Sequence, residues 1–258
     1  MASDGALAEL ALVEPLTLAR DQVVPTLDSL AGLFSAGGLA RGTLIDIGSR
    51  AGGARSLALA LSAALTQQGG WAVYVGLPGL DLTAAAELGV ALERVAVVER
   101  PAPDQWATVV AALIGSFEMV VVGAPARVGP TELRRLQARA RERGSVLTVV
   151  GGGRHRETIR REAELRFLVD DSQWHGLGHG HGHLQARSVV IRASGRRGAT
   201  RPVQLGLWLP DAHGRVRVMD DTIDEHHHHA GADIDDLVAA RPGETSTDAD
   251  IVPFPSVG

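Results

Sequence analysis

Residues 43–65 read TLIDIGSRAGGARSLALALSAAL. A short apolar run is followed by a glycine-rich turn and then a long Ala/Leu segment. This pattern predicts a buried strand over 43–47, a tight turn, and a helix over 55–67. Gly48 and Gly53 stand at the G-x-x-x-x-G spacing of a phosphate-binding loop, which would continue with Lys and then Ser or Thr. Here Ala54, Arg55 and Ser56 follow. Realignment does not recover the lysine, because the chain contains none and all 25 of its long basic residues are arginine. Sliding the loop by one residue puts Arg55 and Ser56 in the Lys-Ser places at the cost of an insertion. A planar guanidinium is a poor substitute there for a compact ammonium on a flexible stem. The loop backbone retains N–H groups at a helix N-terminus, which hold anions without side-chain help. Two readings stay open. The favoured one is a strand-to-helix turn kept for packing. The other is a vestigial nucleotide site at Gly48, Gly52, Gly53, Ala54, Arg55 and Ser56.

Outward from this stretch the chain alternates strand and helix. Gly69 and Gly70 end the first helix as a C-cap pair would. Strands are expected over 71–75, 95–98, 119–122 and 146–150. Helices are expected over 83–88, over 105–114 with Asp104 as cap, and over 131–143 with Leu133, Leu136 and Ala140 facing inward. Strands apolar on both faces and separated by helices imply a parallel sheet covered on both sides. After Gly151–Gly153 the character changes. Residues 154–165 are charged and read as helix. Strands over 166–169, 187–193, 203–209 and 216–219 follow, separated by turn signals at Gly195, Gly198, Pro210 and Gly214. They read as an antiparallel extension of the sheet.

Residues 1–41 form an N-terminal helical arm on this reading, with one helix over 6–18 and a second from Pro25 to Phe34, packed on its own sheet. Residues 42–221 form the α/β core. From Thr222 the chain carries eight acidic residues and one arginine, and reads as a disordered acidic tail. Ile251, Val252 and Phe254 are a small apolar element within it, a candidate for docking a partner.

Composition narrows the class. At 258 residues and 45% hydrophobic content the chain can bury a substantial core, built from aliphatic residues because only 3% are aromatic. A net charge of −5 argues against binding nucleic acid by bulk charge. The absence of cysteine excludes disulfides and thiolate metal sites. No apolar run reaches the roughly 18 residues of a membrane span. Asp4 and Glu9 interrupt any signal-peptide pattern, so a cytoplasmic protein without membrane contact is expected.

The segment GGLARGTLIDIG over residues 37–48 resembles the start of the RecA ATPase core. So do the following loop, the helix with Leu57, Ala58 and Leu59, the spaced Leu80-Asp81 and Leu88-Gly89-Val90, and the strands at Met119 and Val146, all in the same order. The resemblance covers roughly residues 24–220. It implies a RecA-like core with a mainly parallel sheet flanked by helices and extended by C-terminal antiparallel strands. It also implies where the chemistry should be. Ala54 stands for the phosphate-binding lysine, Leu77 for the glutamate that activates water, and Gly123 for the aspartate that holds Mg²⁺ through water. Phosphoryl transfer is positioning plus charge stabilisation, so three losses together argue against hydrolysis.

A RecA-like core with a degenerate nucleotide site, in an Arg/Ala/Gly-rich chain of this size, resembles the ImuA-type mutasome accessory proteins, closest to the actinobacterial branch (ImuA′). That resemblance implies a non-catalytic accessory or scaffold role in translesion DNA synthesis and damage-induced mutagenesis, with nucleoid association during DNA damage. The implied partners are an ImuB-type inactive Y-family polymerase homologue and, through the complex, an error-prone C-family DNA polymerase. No cofactor is expected. Two alternatives stay open: a DNA-stimulated, recombinase-like ATPase using Arg55 and Ser56, and a sensor that binds ATP without turnover.

Other clusters complete the candidates. Arg154, Arg156, Arg160 and Arg161 could contact single-stranded DNA or a partner, against the plainer reading of a solvated helix with Glu157, Glu162 and Glu164 as i,i+4 partners. Arg134, Arg135, Arg139, Arg141 and Arg143 mark an exposed helix face or a docking surface for an acidic partner. His175, His179, His181 and His183 lie in WHGLGHGHGH. Three of them fall on one face of an extended chain, but no carboxylate is nearby to orient the rings. Neither they nor His226–His229 are expected to form a physiological metal site.

Overall fold

The computed structural model describes residues 23–34, 38–99, 101–125, 127–151, 156–177, 182–196 and 202–219. In chain order come β1 (Val23–Val24), a 3₁₀ turn (Asp28–Leu33), β2 (Leu39–Ala40), β3 (Leu44–Ser49), α1 (Ala54–Gln67), β4 (Ala72–Val75) and α2 (Leu82–Glu87). A second 3₁₀ turn (Leu92–Arg94) leads into β5 (Val95–Val98), α3 (Trp106–Leu113), β6 (Met119–Gly123), α4 (Pro130–Arg143), β7 (Val146–Val150) and α5 (Arg156–Glu162). The last four are β8 (Leu165–Leu177), β9 (Gly182–Gly195), β10 (Val203–Trp208) and β11 (Arg217–Val218).

Nine strands form one sheet in the order β11-β10-β9-β8-β3-β7-β6-β4-β5. From β8 through β5 every neighbouring pair is parallel. From β8 to β11 every pair is antiparallel. This is the mixed sheet expected from the sequence. Successive side chains alternate faces along each strand, and the two faces bury different layers. Ile45, Ile47, Tyr74, Met119, Val121 and Phe167 pack with α1 and the first 3₁₀ turn. Leu44, Val73, Val75, Val120, Val122, Leu147 and Val149 pack with α3, α4 and α5.

Local chemistry sets the element ends. The Asp81 side chain accepts from the backbone N–H of Thr83 (2.8 Å) and of Ala84 (3.3 Å), capping α2. Pro130 opens α4, and Gly144 closes it in a left-handed conformation (φ 67°). The expected Asp104 cap is absent: Gln105 precedes α3 and makes no side-chain cap bond.

Three stretches differ from the sequence reading. The helix expected from Pro25 to Phe34 is a six-residue 3₁₀ turn, flanked by the two-stranded β1–β2 pair. It has no side-chain N-cap, and Gly32 in its last turn disfavours a regular α-helix by about 1 kcal/mol. Leu30 and Leu33 are nonetheless fully buried in the core. The helix expected over 154–165 is shorter, and β8 begins at Leu165. Finally, β8 and β9 run far past the expected strands, to Leu177 and from Gly182. Beyond Val169 β8 pairs only with β9, through bulges at Val169/Asp171 and His175/Leu177, and past Ser188, where the ladder to β10 ends, the two continue as a ribbon. A two-stranded ribbon of this kind needs no continuous apolar face, so its polar sequence does not announce it. Residues 1–22, and the tail from Thr222 with Ile251, Val252 and Phe254, lie outside the described residues.

Tyr74, the sole tyrosine, lies fully inside the α1 layer, its hydroxyl 2.5 Å from that of Ser62. Burial raises its pKa from 10.0 to about 12, against the lowering effect of that hydrogen bond. As pH rises from 10 towards 12, the unfolded chain loses this proton first and so binds fewer protons than the folded one. Stability from this group is therefore complete below pH 10 and lost on the way to 12, by roughly 3 kcal/mol in all. Tyr74→Phe should flatten that part of a stability–pH curve measured by denaturant unfolding. Ser62 keeps its bond to the Leu59 carbonyl in the variant (2.8 Å). An unchanged slope would show that Tyr74 is not the titrating group.

Candidate functional site

The loop after β3 turns on two left-handed glycines, Gly52 (φ 88°) and Gly53 (φ 92°). The Ser49 hydroxyl donates to the Gly52 carbonyl inside the turn. The Arg50 N–H donates to the Val169 carbonyl at 3.0 Å, tying the loop to β8. Gly53 precedes α1, whose first turn has neither a side-chain cap nor an acidic residue. Its leading N–H groups therefore face outward as a partial positive charge.

These N–H groups border a cleft of about 550 Å³ at the C-terminal ends of β3, β4, β6 and β7. Open α/β sheets hold ligands in this place. Ser49, Gly52, Gly53, Ala54, Arg55 and Ser56 line it on one side, and Gly76, Leu77, Gly123, Ala124 and Gly151 on the other. The sequence-predicted loop residues are thus brought together, apart from Gly48, which is buried within β3. Leu77 and Gly123 also line the cleft, and among the described lining residues there is no carboxylate.

The structure adds a physical reason at Gly123. A Cβ there would lie 2.2 Å from the Gly76 carbonyl oxygen. The ends of β4 and β6 are closed on one another, so position 123 has no room for any side chain.

The cation packed against Gly52 and Gly53 comes from elsewhere. Arg55 is exposed, and its guanidinium extends towards Gly79. Arg187, in β9, is 8% exposed and lines the cleft. One of its outer nitrogens lies 2.8 Å from the position a Cβ on Gly53 would take, and 3.1 Å from that on Gly52. Its Nε donates to the Ser172 hydroxyl at 2.6 Å, and its guanidinium lies over the Trp174 ring at 5.3 Å. Among the described residues no carboxylate forms an ion pair with it. Burial lowers its pKa from the ordinary guanidinium value, yet arginine stays charged at neutral pH. Nothing in the local sequence around Arg187 signals this approach; it depends on how β8 and β9 continue past the edge of β3.

A second hollow, about 270 Å³, collects Arg160 and Arg161 with Arg166 and Arg196 beside Glu157 and Ala163. Arg161 lies 4.0 Å from Glu157, and Arg196 donates to the Glu162 carbonyl at 3.3 Å. The Arg166 Nε is buried without a hydrogen-bond partner. Arg154 and the side chain of Arg156 lie outside the described residues. On α4, Arg141 pairs with Glu164 at 2.8 Å and Arg134 approaches Glu162 at 3.9 Å, so part of that arginine face is internally neutralised. His175 is held by the Ser188 hydroxyl at 2.8 Å and packs edge-on against Trp208 at 5.0 Å. His179 and His181 lie outside the described residues. Among the described residues no three His, Asp or Glu gather as a metal-binding group, and no helix is long and apolar enough to cross a membrane.

Sheet order gives the chain a RecA-like α/β fold, with a glycine-rich turn between β3 and α1 that no lysine follows. The crystal structure of the RadB recombinase superposes with a TM-score of 0.53 at 18% identity, over 75% of this chain and 97% of that one. At this identity the likeness is one of fold. The MT3502 N-terminal domain family matches residues 32–155. The uncharacterized protein Rv3395c of Mycobacterium tuberculosis is 43% identical over 101 residues, 39% of this chain and 49% of that protein. The chain thus spans about half the length of the curated relative it matches.

Proposed function

We propose that this chain is a non-catalytic RecA-like accessory protein that scaffolds an error-prone translesion-synthesis complex. Its partners on this reading are an ImuB-type inactive polymerase homologue and, through it, a C-family DNA polymerase. The observation that carries the non-catalytic part is the closure of Gly123 on the Gly76 carbonyl. The position of the metal-holding aspartate is sterically filled by backbone, beside Leu77 in place of the catalytic glutamate. The partner assignment rests on the ImuA-type resemblance. Arg160 and Arg161, grouped with Arg166 and Arg196, are the surface proposed for single-stranded DNA or a partner, where each phosphate contact would add salt dependence.

The test is size-exclusion co-elution with a purified ImuB-type partner, using the full chain beside a chain cut after Asp221. The expected result is co-elution of the full chain. Its loss on truncation would place docking in the tail with Ile251, Val252 and Phe254, and its survival would place it on the core. Failure of the full chain to co-elute would remove the scaffold assignment. The rival reading, a DNA-stimulated ATPase, requires Mg²⁺-dependent turnover that Arg55→Ala abolishes; Arg55 lines the cleft, with its guanidinium 3.7 Å from where a Cβ on Gly79 would lie.

A further inference from the structure

We propose that two copies of this chain associate through the ribbon, β8 of each adding antiparallel to β8 of the other about a two-fold axis at Gln173. β3 leaves β8 at Ser49, opposite Val169, and among the described residues no other strand lies along that side of Asp171–Leu177. Between the two bulges, residues 171–175 keep a regular register with residues 190–186. Arg187 gives its backbone N–H to the Pro210 carbonyl (2.8 Å), and its carbonyl accepts the Leu209 N–H (2.7 Å). Both groups therefore face away from β8. Its register partner Trp174 is then in a non-hydrogen-bonded pair, and the Trp174 N–H and C=O point out to the open edge. Ser172, two residues back, points the same way, and its N–H is met by the carboxylate of its neighbour Asp171 (2.7 Å).

Unpaired edge groups are a template for another strand, and edges that stay single are blunted by proline, by charge or by bulges. Residues 171–177 contain no proline and no arginine, and the bulges flank the regular run without interrupting it. A two-stranded ribbon is marginal in water by itself, and further strands stabilise it. This one also leaves large apolar side chains in water: Trp174 is 45% exposed, Leu184 48% and Leu177 63%. The occupant is a second copy because the run is complementary to itself. Turned about Gln173, Ser172 and Trp174 form hydrogen-bonded pairs with the second copy's Trp174 and Ser172. Asp171 then falls opposite the second copy's His175, on one face of the joined sheet. Asp171 is exposed and among the described residues forms no ion pair. The His175 Nε2 is 2.8 Å from the Ser188 hydroxyl, which leaves Nδ1 for the carboxylate. The pair recurs on both sides of the axis, as an isologous contact requires. The product is a continuous four-stranded layer, β9-β8-β8-β9. This association does not rest on the scaffold reading, and either can fail while the other stands.

The experiment is sedimentation equilibrium of the full chain over a concentration series, with single-cysteine cross-linking beside it. A reversible monomer–dimer equilibrium is expected. The chain has no cysteine of its own, and a non-hydrogen-bonded antiparallel pair holds its Cα atoms about 4.5 Å apart, within disulfide reach. Gln173→Cys should therefore oxidise to a covalent dimer. Val97→Cys, on the exposed edge strand β5 at the far end of the sheet, should not. Gln173→Lys and Gln173→Glu each set like charges opposite one another and should weaken association severalfold; mixed in equal amounts they should recover it. Residue 173 is exposed, so the fold, followed by circular dichroism, should not change. The proposal is overturned if the wild-type chain stays a monomer at every concentration or assembles beyond a dimer. It is also overturned if Val97→Cys cross-links as readily as Gln173→Cys, if neither charged variant weakens the dimer, or if mixing the two does not restore it.

Discussion

Gly123→Asp should lower the melting temperature by roughly 3–10 °C and should not create Mg²⁺-dependent ATP hydrolysis. The substitution restores the residue that a RecA-like ATPase would carry at the end of β6, yet the obstacle lies at Cβ, before the carboxylate begins. A Cβ on residue 123 would lie 2.2 Å from the Gly76 oxygen and 3.1 Å from its carbon. The backbone cannot easily yield. Gly123 is in register with Val150 on β7, the Ala124 N–H donates to the Val150 carbonyl at 3.0 Å, and the Gly76 N–H donates to that of Val98 at 2.8 Å. Overpacking of this kind costs about 1–3 kcal/mol, and about 2–4 °C per kcal/mol is expected for a domain of this size. Gly123→Ala should cost nearly as much, since Cβ is the shared offence. Gly32→Ala is the control, because a Cβ there meets only Leu205 at 3.7 Å. Differential scanning calorimetry of the three variants decides the matter. A stable Gly123→Asp chain with Mg²⁺-dependent turnover would refute the non-catalytic reading.

The second large effect is at Phe167. This β8 residue is 1% exposed and meets Phe34 edge-to-face, with centroids 5.9 Å apart and planes at 82°. The pair joins the segment after the first 3₁₀ turn to the middle of the sheet. In a chain with only four phenylalanines there is little aromatic mass nearby to refill the space. Phe167→Ala should cost about 3–5 kcal/mol, a large share of the roughly 5–15 kcal/mol by which domains are stable. Phe34→Ala and the double variant complete a cycle, in which the ring–ring coupling should be about 0.5–1.5 kcal/mol. Denaturant unfolding followed by circular dichroism would measure all three. A loss below about 1 kcal/mol for Phe167→Ala would mean the core collapses around the gap.

The parallel half of the sheet was legible because its strands are short apolar runs bounded by turns and charges. The bounds of β5 and β7 follow from Val95, Val98, Val146 and Val150 alone, and α1 from the Ala/Leu run after Gly53. The antiparallel half was legible only where one face is buried. Past Val169 the sequence DSQWHGL carries little apolar signal, and the ribbon there is set by pairing with residues 182–190, which no local pattern reveals. The candidate site divides the same way. The loop frame and the replacements at 54, 77 and 123 are visible in order along the chain. The reason position 123 has no side chain is a through-space contact with Gly76. The approach of Arg187 is likewise a product of strand order.

That guanidinium belongs to two parts of the molecule at once. It is a residue of β9, set by Ser172 and Trp174, and it is also a wall of the loop at Gly52 and Gly53. Moving it away from Gly52 and Gly53 would disturb its bond to Ser172 and its contact with Trp174. Thermodynamic reciprocity then fixes the consequence: whatever factor an occupant of the loop imposes on the affinity of a molecule grasping the β8–β9 ribbon, that molecule imposes in return on the occupant. The ribbon and the loop would act as the two ends of a single balance, with Arg187 as its beam.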